Sequence, residues 1–140
     1  CLRKAVFGMQ KANEQRAAGE ARSIEEGAEN FLAKNRAPRE IEADWTEWIN
    51  KTGTAVWDRP GLARAQRSIA TISILSVTHQ EGPLRVHIEA GLANGLSRLE
   101  VSEVIMHSAV YAGVPQALRS MQIAYEVFAK LDEQSGESER

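Results

Sequence analysis

Apolar residues recur along the chain at spacings of three and four, the period of one face of an α-helix. No stretch shows the alternation of β-branched residues that is typical of a strand. One stripe follows Pro38, and two later stripes mark a helix near the middle of the chain and the last helix. Their apolar positions are, in turn, Ile41, Trp45, Trp48, Ile49 and Thr52; Ile69, Ile72 and Leu75; and Leu118, Met121, Tyr125 and Phe128. The pattern predicts an all-α bundle of six or seven helices.

Residues 84–117 are predicted to form two helices joined by a short turn. Pro83 suits the start of the first helix, and Asn94-Gly95 suits its end, because glycine readily adopts the left-handed conformation found at helix C-termini. Ser97 and Glu100 form a capping box for the second helix. Because the connection is so short, we expect a central antiparallel pair of neighbouring helices.

Three ionisable side chains are expected to meet between these two helices. At about 1.5 Å per residue from the turn, His87 lies level with Glu103 and His107, which share a helix face. One carboxylate and two imidazoles at one place indicate a proton-transfer site. Other interpretations stay open, because a histidine among apolar residues is more often part of a hydrogen-bonded core. Glu103 can equally be a solvated residue that pairs with Arg98 or Arg64.

The remaining patterns suggest how the chain is divided. Residues 1–40 are predicted to be an N-terminal helical extension, in which Ser23 and Glu26 open one helix as a capping box. Residues 41–131 form the main domain, with the last helix ending near Leu131. Residues 132–140 are expected to be a polar tail.

The fixed spacings of several motifs resemble the carboxymuconolactone decarboxylase family. The stretch LRVHIEAGLANGLSRLEVSEVI, followed by YAGVPQA, is similar to the L-R-x-H, A-L-x-N-G-L, E-x-x-E-V and Y-x-G-x-P motifs of that family. Upstream, WDRPGLARAQRSIATISIL resembles its W-x-R-P-G-L segment and the Arg-rich helix that follows. The resemblance covers about residues 45–128.

The resemblance also separates this chain from the thiol peroxidases of the same superfamily. Those enzymes carry a CxxC motif whose two positions are occupied here by Gln80 and Pro83. Their carboxylate near the position of Ser68 is also missing. Peroxidase chemistry needs an attacking thiolate and a resolving thiol, so the branch without CxxC is indicated.

The resemblance implies a cofactor-free decarboxylase that acts on a γ-carboxymuconolactone-like acid. Loss of CO2 from such a lactone leaves a dienolate, so the protein must hold the carboxylates, stabilise the oxyanion and deliver a proton. His87 is the expected general acid or base, and Glu103 its orienting carboxylate. His107 departs from the family pattern and is either a second acid/base group or a residue that only fills space. The expected substrate-binding residues are Arg67 and Arg59 as a carboxylate clamp, with Trp57 and Tyr111 as walls. For each of these four residues a structural role is at least as common.

Charge and composition narrow the possible partners. The net charge of −2 and the absence of a dense basic run exclude nucleic acid as the expected partner. Apolar residues 69–77 are too few to span a bilayer, and no leader sequence is apparent, so the expected location is cytoplasmic. The single cysteine, Cys1, excludes an intrachain disulfide. The resemblance implies a small carboxylate substrate as one partner. The three Trp residues, the apolar helix faces and the resemblance to a ring-forming family together lead us to expect further copies of the chain, as a trimer or hexamer.

Two other functions stay open from the sequence. One is a related acid/base enzyme that acts on a polyketide-like or other secondary metabolite, which the unusual His107 favours. The other is a non-catalytic, oligomeric ligand-binding protein. His79, His87, Glu103 and His107 have the side-chain types of a metal site, but they lack compact ligand spacing, so no metal or other cofactor is expected.

Overall fold

The structure, a computed structural model, describes residues 36–138 of the chain. All regular elements in this range are α-helices, so the predicted all-α class is confirmed. The five described helices are α1 (Glu42–Trp57), α2 (Arg64–Val77), α3 (Glu81–Ala93), α4 (Arg98–Ala112) and α5 (Val114–Ser138). None of them is both long enough and apolar enough to cross a membrane. The predicted 1–40 extension, up to residue 35, lies outside the described residues.

The chain divides into two compact units between Thr52 and Gly53. Of the first unit, the structure describes residues 36–52, which include most of α1. The Trp45 and Trp48 rings of the predicted stripe stack there, with their centroids 5.5 Å apart. Both rings remain largely exposed to solvent.

The second unit has a core of aliphatic side chains to which α2, α3, α4 and α5 all contribute. Its buried residues are Ile72, Leu84, Ile88, Leu96, Val101, Ile105, Ile123, Ala124 and Val127. Full burial of each large aliphatic side chain stabilises the fold by about 1.5–3 kcal/mol, so this core holds the four helices together.

The four helices pack as the corners of a square. The most extensive contacts join α2 to α3 and α4 to α5; α2 also packs on α4, and α3 on α5. By contrast, α3 and α4 touch each other only slightly, because they occupy opposite corners. From the sequence we expected the short turn to make α3 and α4 immediate neighbours. That prediction is wrong.

The turn after α3 carries the chain across the end of the core. Leu96 in this turn is buried, and Gly95 has a φ of +100°, a conformation that favours glycine. Meanwhile α3 lies close against α2 at Gly91, where an added Cβ would come within 3.1 Å of Ile72 Cδ1 and 3.3 Å of Leu96 Cδ1. The missing side chain at Gly91 therefore allows α3 to pack on α2 rather than on α4.

Helix ends agree with the sequence at the Asn94-Gly95 end of α3 and at one capping box, whereas α3 begins two residues before Pro83 and the last helix is longer than predicted. The Ser97 Oγ accepts a hydrogen bond from the Glu100 amide at 3.1 Å, and the Glu100 carboxylate accepts one from the Ser97 amide at 2.7 Å, which confirms that box. The last helix continues past Leu131 into the predicted polar tail. An ion pair of 2.6 Å between Arg98 and Asp132 ties this extra length to α4.

Gly91→Ala is expected to destabilise the protein by about 1 kcal/mol. Overpacking costs about 1–3 kcal/mol, whereas replacing a helical glycine by alanine gains only about 1 kcal/mol. Gly82 lies in the same helix with no atom within 4 Å of an added Cβ, so Gly82→Ala is the matched control and should be neutral or stabilising. Urea unfolding midpoints compare the two. Equal stabilisation by both changes would contradict the close packing of α3 on α2.

Candidate active site

Three consecutive residues, the last residue of α1 and the two that follow it, contact three different basic side chains. The Trp57 ring stacks on the His87 imidazole, with ring centroids 6.2 Å apart and planes inclined by 12°. The Asp58 Oδ1 accepts a hydrogen bond from the Arg64 Nη2 at 2.7 Å. The Arg59 carbonyl accepts one from the Arg67 Nη2 at 2.8 Å.

These contacts bring together side chains from two helices. His87 comes from α3, whereas Arg64 and Arg67 lie three residues apart on one face of the first turn of α2. Because three consecutive residues span at most about 7 Å between their outer Cα atoms, the three basic groups all contact one short segment of the chain. We call His87, Arg64 and Arg67 the basic cluster.

Each member of the basic cluster has a buried nitrogen without a hydrogen-bond partner. These atoms are Nη1 of Arg64, Nε of Arg67 and Nδ1 of His87. In the part of the chain that the structure describes, Ser76 Oγ is the one other buried side-chain nitrogen or oxygen without a partner. Buried polar atoms are normally paired, and each unpaired one costs about 1–3 kcal/mol. Their concentration around one segment therefore calls for a polar partner there, either water or a ligand.

Burial alone lowers the pKa of His87 below its usual range. The imidazole consequently favours its neutral form at neutral pH, in which one nitrogen donates a hydrogen bond and the other accepts one. A carboxylate bound beside it would favour the protonated form instead. His87 therefore has a charge state that an anionic ligand can change.

The other predicted catalytic residues lie elsewhere. Glu103 and His107 are exposed on α4, and the His107 ring contacts the Tyr111 ring at a centroid distance of 5.4 Å. The side chain of Tyr111 is also exposed. In residues 36–138, no hydrogen bond, ion pair or ring contact joins these three side chains to His87. The expected convergence is absent because α3 and α4 lie at opposite corners of the bundle.

The sequence indicated part of the basic cluster but not all of it. Trp57, Arg67 and His87 were predicted site residues, and the structure brings them to one segment. Arg59 contributes its backbone carbonyl, while its side chain is exposed. Arg64 was considered only as a partner of Glu103, although its position three residues before Arg67 is a signal for a shared face.

The position at which related peroxidases carry a carboxylate has a structural role here. The buried Ser68 hydroxyl accepts a hydrogen bond of 2.9 Å from the Asn94 Nδ2, which ties the end of α3 to α2. Over the described residues, no three His, Cys, Asp or Glu side chains lie close enough together to hold a metal ion.

Comparison of the sequence with known proteins shows the family of this chain. The family model for "Carboxymuconolactone decarboxylase family" matches residues 43–126, which include the whole basic cluster. The chain belongs to this family. The match also includes the contacting segment at residues 57–59.

Three relatives illustrate the range of the family. A 4-carboxymuconolactone decarboxylase of Acinetobacter baylyi is 43% identical over 76 residues, which cover 54% of this chain and 57% of the relative. Nitrosuccinic acid decarboxylase npaB of Metarhizium robertsii is 34% identical over 98 residues, covering 70% of this chain and 64% of the relative. An uncharacterized 15.0 kDa protein of Paracoccus denitrificans is 30% identical over 119 residues, 81% of this chain and 86% of the relative. The chain thus spans about three fifths of the two named decarboxylases.

The lowered pKa of His87 predicts a pH-dependent loss of stability. Above about pH 6.5 the imidazole is neutral in both states and contributes nothing. As the pH falls through that value, the unfolded chain binds the proton first, so the folded state loses stability until the folded pKa is also passed. Replacing His87 by Asn should remove this component.

Urea unfolding at pH 7.5 and pH 5.0 measures the effect. His87→Asn should lose less stability than the wild type between the two pH values. Ile88→Val is the matched control, since it removes a methylene from the adjacent buried residue without removing a titrating group. The same loss of stability in His87→Asn and the wild type would contradict the burial of a neutral imidazole.

Proposed function

We propose that this chain decarboxylates a small acid with two carboxylate groups, without a cofactor, and that the basic cluster is its active site. The observation that carries the proposal is the set of three buried, unpaired nitrogens around residues 57–59. A bound carboxylate offers two oxygens that accept hydrogen bonds, so it can satisfy several of these atoms at once.

Arg64 and Arg67 are proposed to hold one substrate carboxylate. Each guanidinium is already anchored through Nη2, Arg64 to Asp58 and Arg67 to the Arg59 carbonyl. The Nη1 of Arg64 and the Nε of Arg67 are buried without a partner, and they are proposed to donate to the ligand once the site opens to admit it. Because the anchors limit side-chain motion, little conformational entropy is lost when the carboxylate binds. The exposed Arg59 side chain is proposed for the second carboxylate.

Trp57 is proposed to shape the environment of the proton donor. Its ring lies nearly parallel to the imidazole of His87 with the ring centroids 6.2 Å apart, so it occupies space on one side of that ring. Excluding water from this side strengthens the electrostatic interactions between the imidazole and a bound anion. Replacing Trp57 would therefore affect both substrate fit and the pKa of His87.

His87 is proposed to deliver the proton that replaces CO2. The bond to the departing carboxylate breaks, and its electron pair moves onto an electron-withdrawing group of the substrate. Protonated His87 then transfers its proton to the resulting carbanionic carbon, and the imidazole takes up a proton from solvent. One proton is consumed for each CO2 released. Binding of the dianion raises the pKa of His87 from its lowered value and so loads the acid before the bond breaks.

The named relatives support this class of substrate. One is a 4-carboxymuconolactone decarboxylase and the other a nitrosuccinic acid decarboxylase. A lactone carbonyl conjugated to the reacting carbon and a nitro group can each accept the electron pair, so neither reaction needs a cofactor as an electron sink. We propose a γ-carboxymuconolactone-like lactone acid as the substrate, and the nitro acid is the alternative to test beside it.

The proposed roles predict different kinetic effects for two variants. His87→Asn should lower kcat by about 10² to 10⁴, the usual effect of losing a general acid or base. Arg67→Lys should mainly raise KM, by about 10- to 100-fold, since a lysine keeps the charge but loses bidentate geometry. CO2 release from 4-carboxymuconolactone and from nitrosuccinate measures both parameters.

Arg119→Lys is the matched control, because Arg119 forms an exposed ion pair with Glu81 on the surface. It should behave as the wild type, and circular dichroism should confirm that every variant is folded. No CO2 release from either acid would overturn the proposed reaction. Wild-type kcat in a folded His87→Asn protein would overturn the role of His87.

A further inference from the structure

Helix α4 carries a row of large apolar side chains that the described bundle leaves in solvent. Leu99 is 69% exposed, Met106 55%, Val110 79% and Tyr111 79%. The row continues past Gly113 onto α5, where Val114 and Leu118 are also well exposed. Several exposed large apolar side chains on one helix are a common mark of a protein contact.

Two ionisable residues interrupt this row in a regular way. Leu99, Glu103, His107 and Tyr111 follow one another at four-residue steps, so they lie along one ridge of α4. The ends of the ridge are apolar, while an acid and an imidazole stand side by side in its middle. Two copies of this ridge laid antiparallel therefore place each acid opposite an imidazole and each apolar end opposite the other apolar end.

We propose that α4 is the contact surface for a second copy of this chain, packed antiparallel about a two-fold axis near residue 105. In this register Glu103 faces the partner's His107, and His107 faces the partner's Glu103. The same register sets Leu99 opposite the partner's Tyr111, because both pairs are centred on residue 105. Met106 lies next to the axis and meets the partner's Met106.

Charge favours a second copy over another occupant. Glu103 has no hydrogen bond or ion pair within residues 36–138, although nearby acids on α3 and α5 are engaged: Glu89 with Lys130, Glu126 with Arg85, and Asp132 with Arg98. An imidazole N–H of the partner's His107 can donate to this carboxylate whether or not the ring is charged. A two-fold contact forms this hydrogen bond twice, because the same surface carries both the carboxylate acceptor and the imidazole donor.

The neighbouring part of α5 enlarges the contact. A specific interface buries more than about 1,000 Å² in total, which one ridge of one helix does not provide. Val114 and Leu118 continue the apolar surface beyond the end of α4 and supply further area. The contact uses none of the basic-cluster residues, so it stands or falls independently of the proposed decarboxylation.

Charge reversal tests both the surface and its register. Glu103→Arg places a cation opposite the partner's His107, and His107→Glu places two carboxylates opposite each other. His107→Glu should weaken self-association by more than about tenfold, since like charges at an interface are strongly unfavourable. Glu103→Arg should weaken it as well, because the acceptor for the imidazole N–H is lost. The double variant Glu103→Arg/His107→Glu restores opposite charges in the same register and should recover association.

Sedimentation velocity over a concentration series of the full chain measures the assembly, with circular dichroism to verify folding. If the chain forms a hexamer of two trimers, losing this two-fold contact should reduce the mass to that of a trimer. Glu133→Arg, a charge reversal at an exposed residue elsewhere on α5, is the control and should associate as the wild type. A monomeric wild type, single variants that associate like the wild type, or a double variant that is not rescued would each overturn the proposal.

Discussion

The close contact between α2 and α3 is the constraint on which the rest of the second unit depends. Gly91 lets α3 approach Ile72 of α2 to a distance that leaves little room for a methyl group. This contact fixes the two helices that carry the basic cluster, because Arg64 and Arg67 lie on α2 and His87 on α3. It also leaves α4 at the opposite corner from α3, where its outer ridge is free for another contact.

The sequence predicted local structure well because local structure depends on neighbouring residues. The capping box of Ser97 and Glu100 formed as expected, and the helical class followed from the spacing of apolar side chains. The sequence could not predict that α3 and α4 lie at diagonal corners of the bundle, because that arrangement depends on how Gly91 and the buried Leu96 fit against α2. Counting residues from a turn gives height along a helix but not the corner that the helix occupies, so Glu103 and His107 were expected beside His87.

The basic cluster is costly to the fold, which is a reason to connect it with function. Three buried nitrogens without partners oppose folding by about 1–3 kcal/mol each. A carboxylate ligand would relieve part of this cost and would at the same time raise the lowered pKa of His87. Under the proposed function, ligand binding and proton uptake would therefore be coupled in one site, which suits a reaction that consumes a proton as CO2 leaves.

The most direct test of this coupling is the pKa of His87, measured by NMR titration of the imidazole with and without succinate, a simple dicarboxylate. The pKa should lie below its usual value of about 6.5 in the free protein and rise when succinate binds. Arg67→Lys should require more succinate to produce the same rise. A His87 pKa that stays the same at saturating succinate would contradict the account, because the carboxylate would then bind elsewhere.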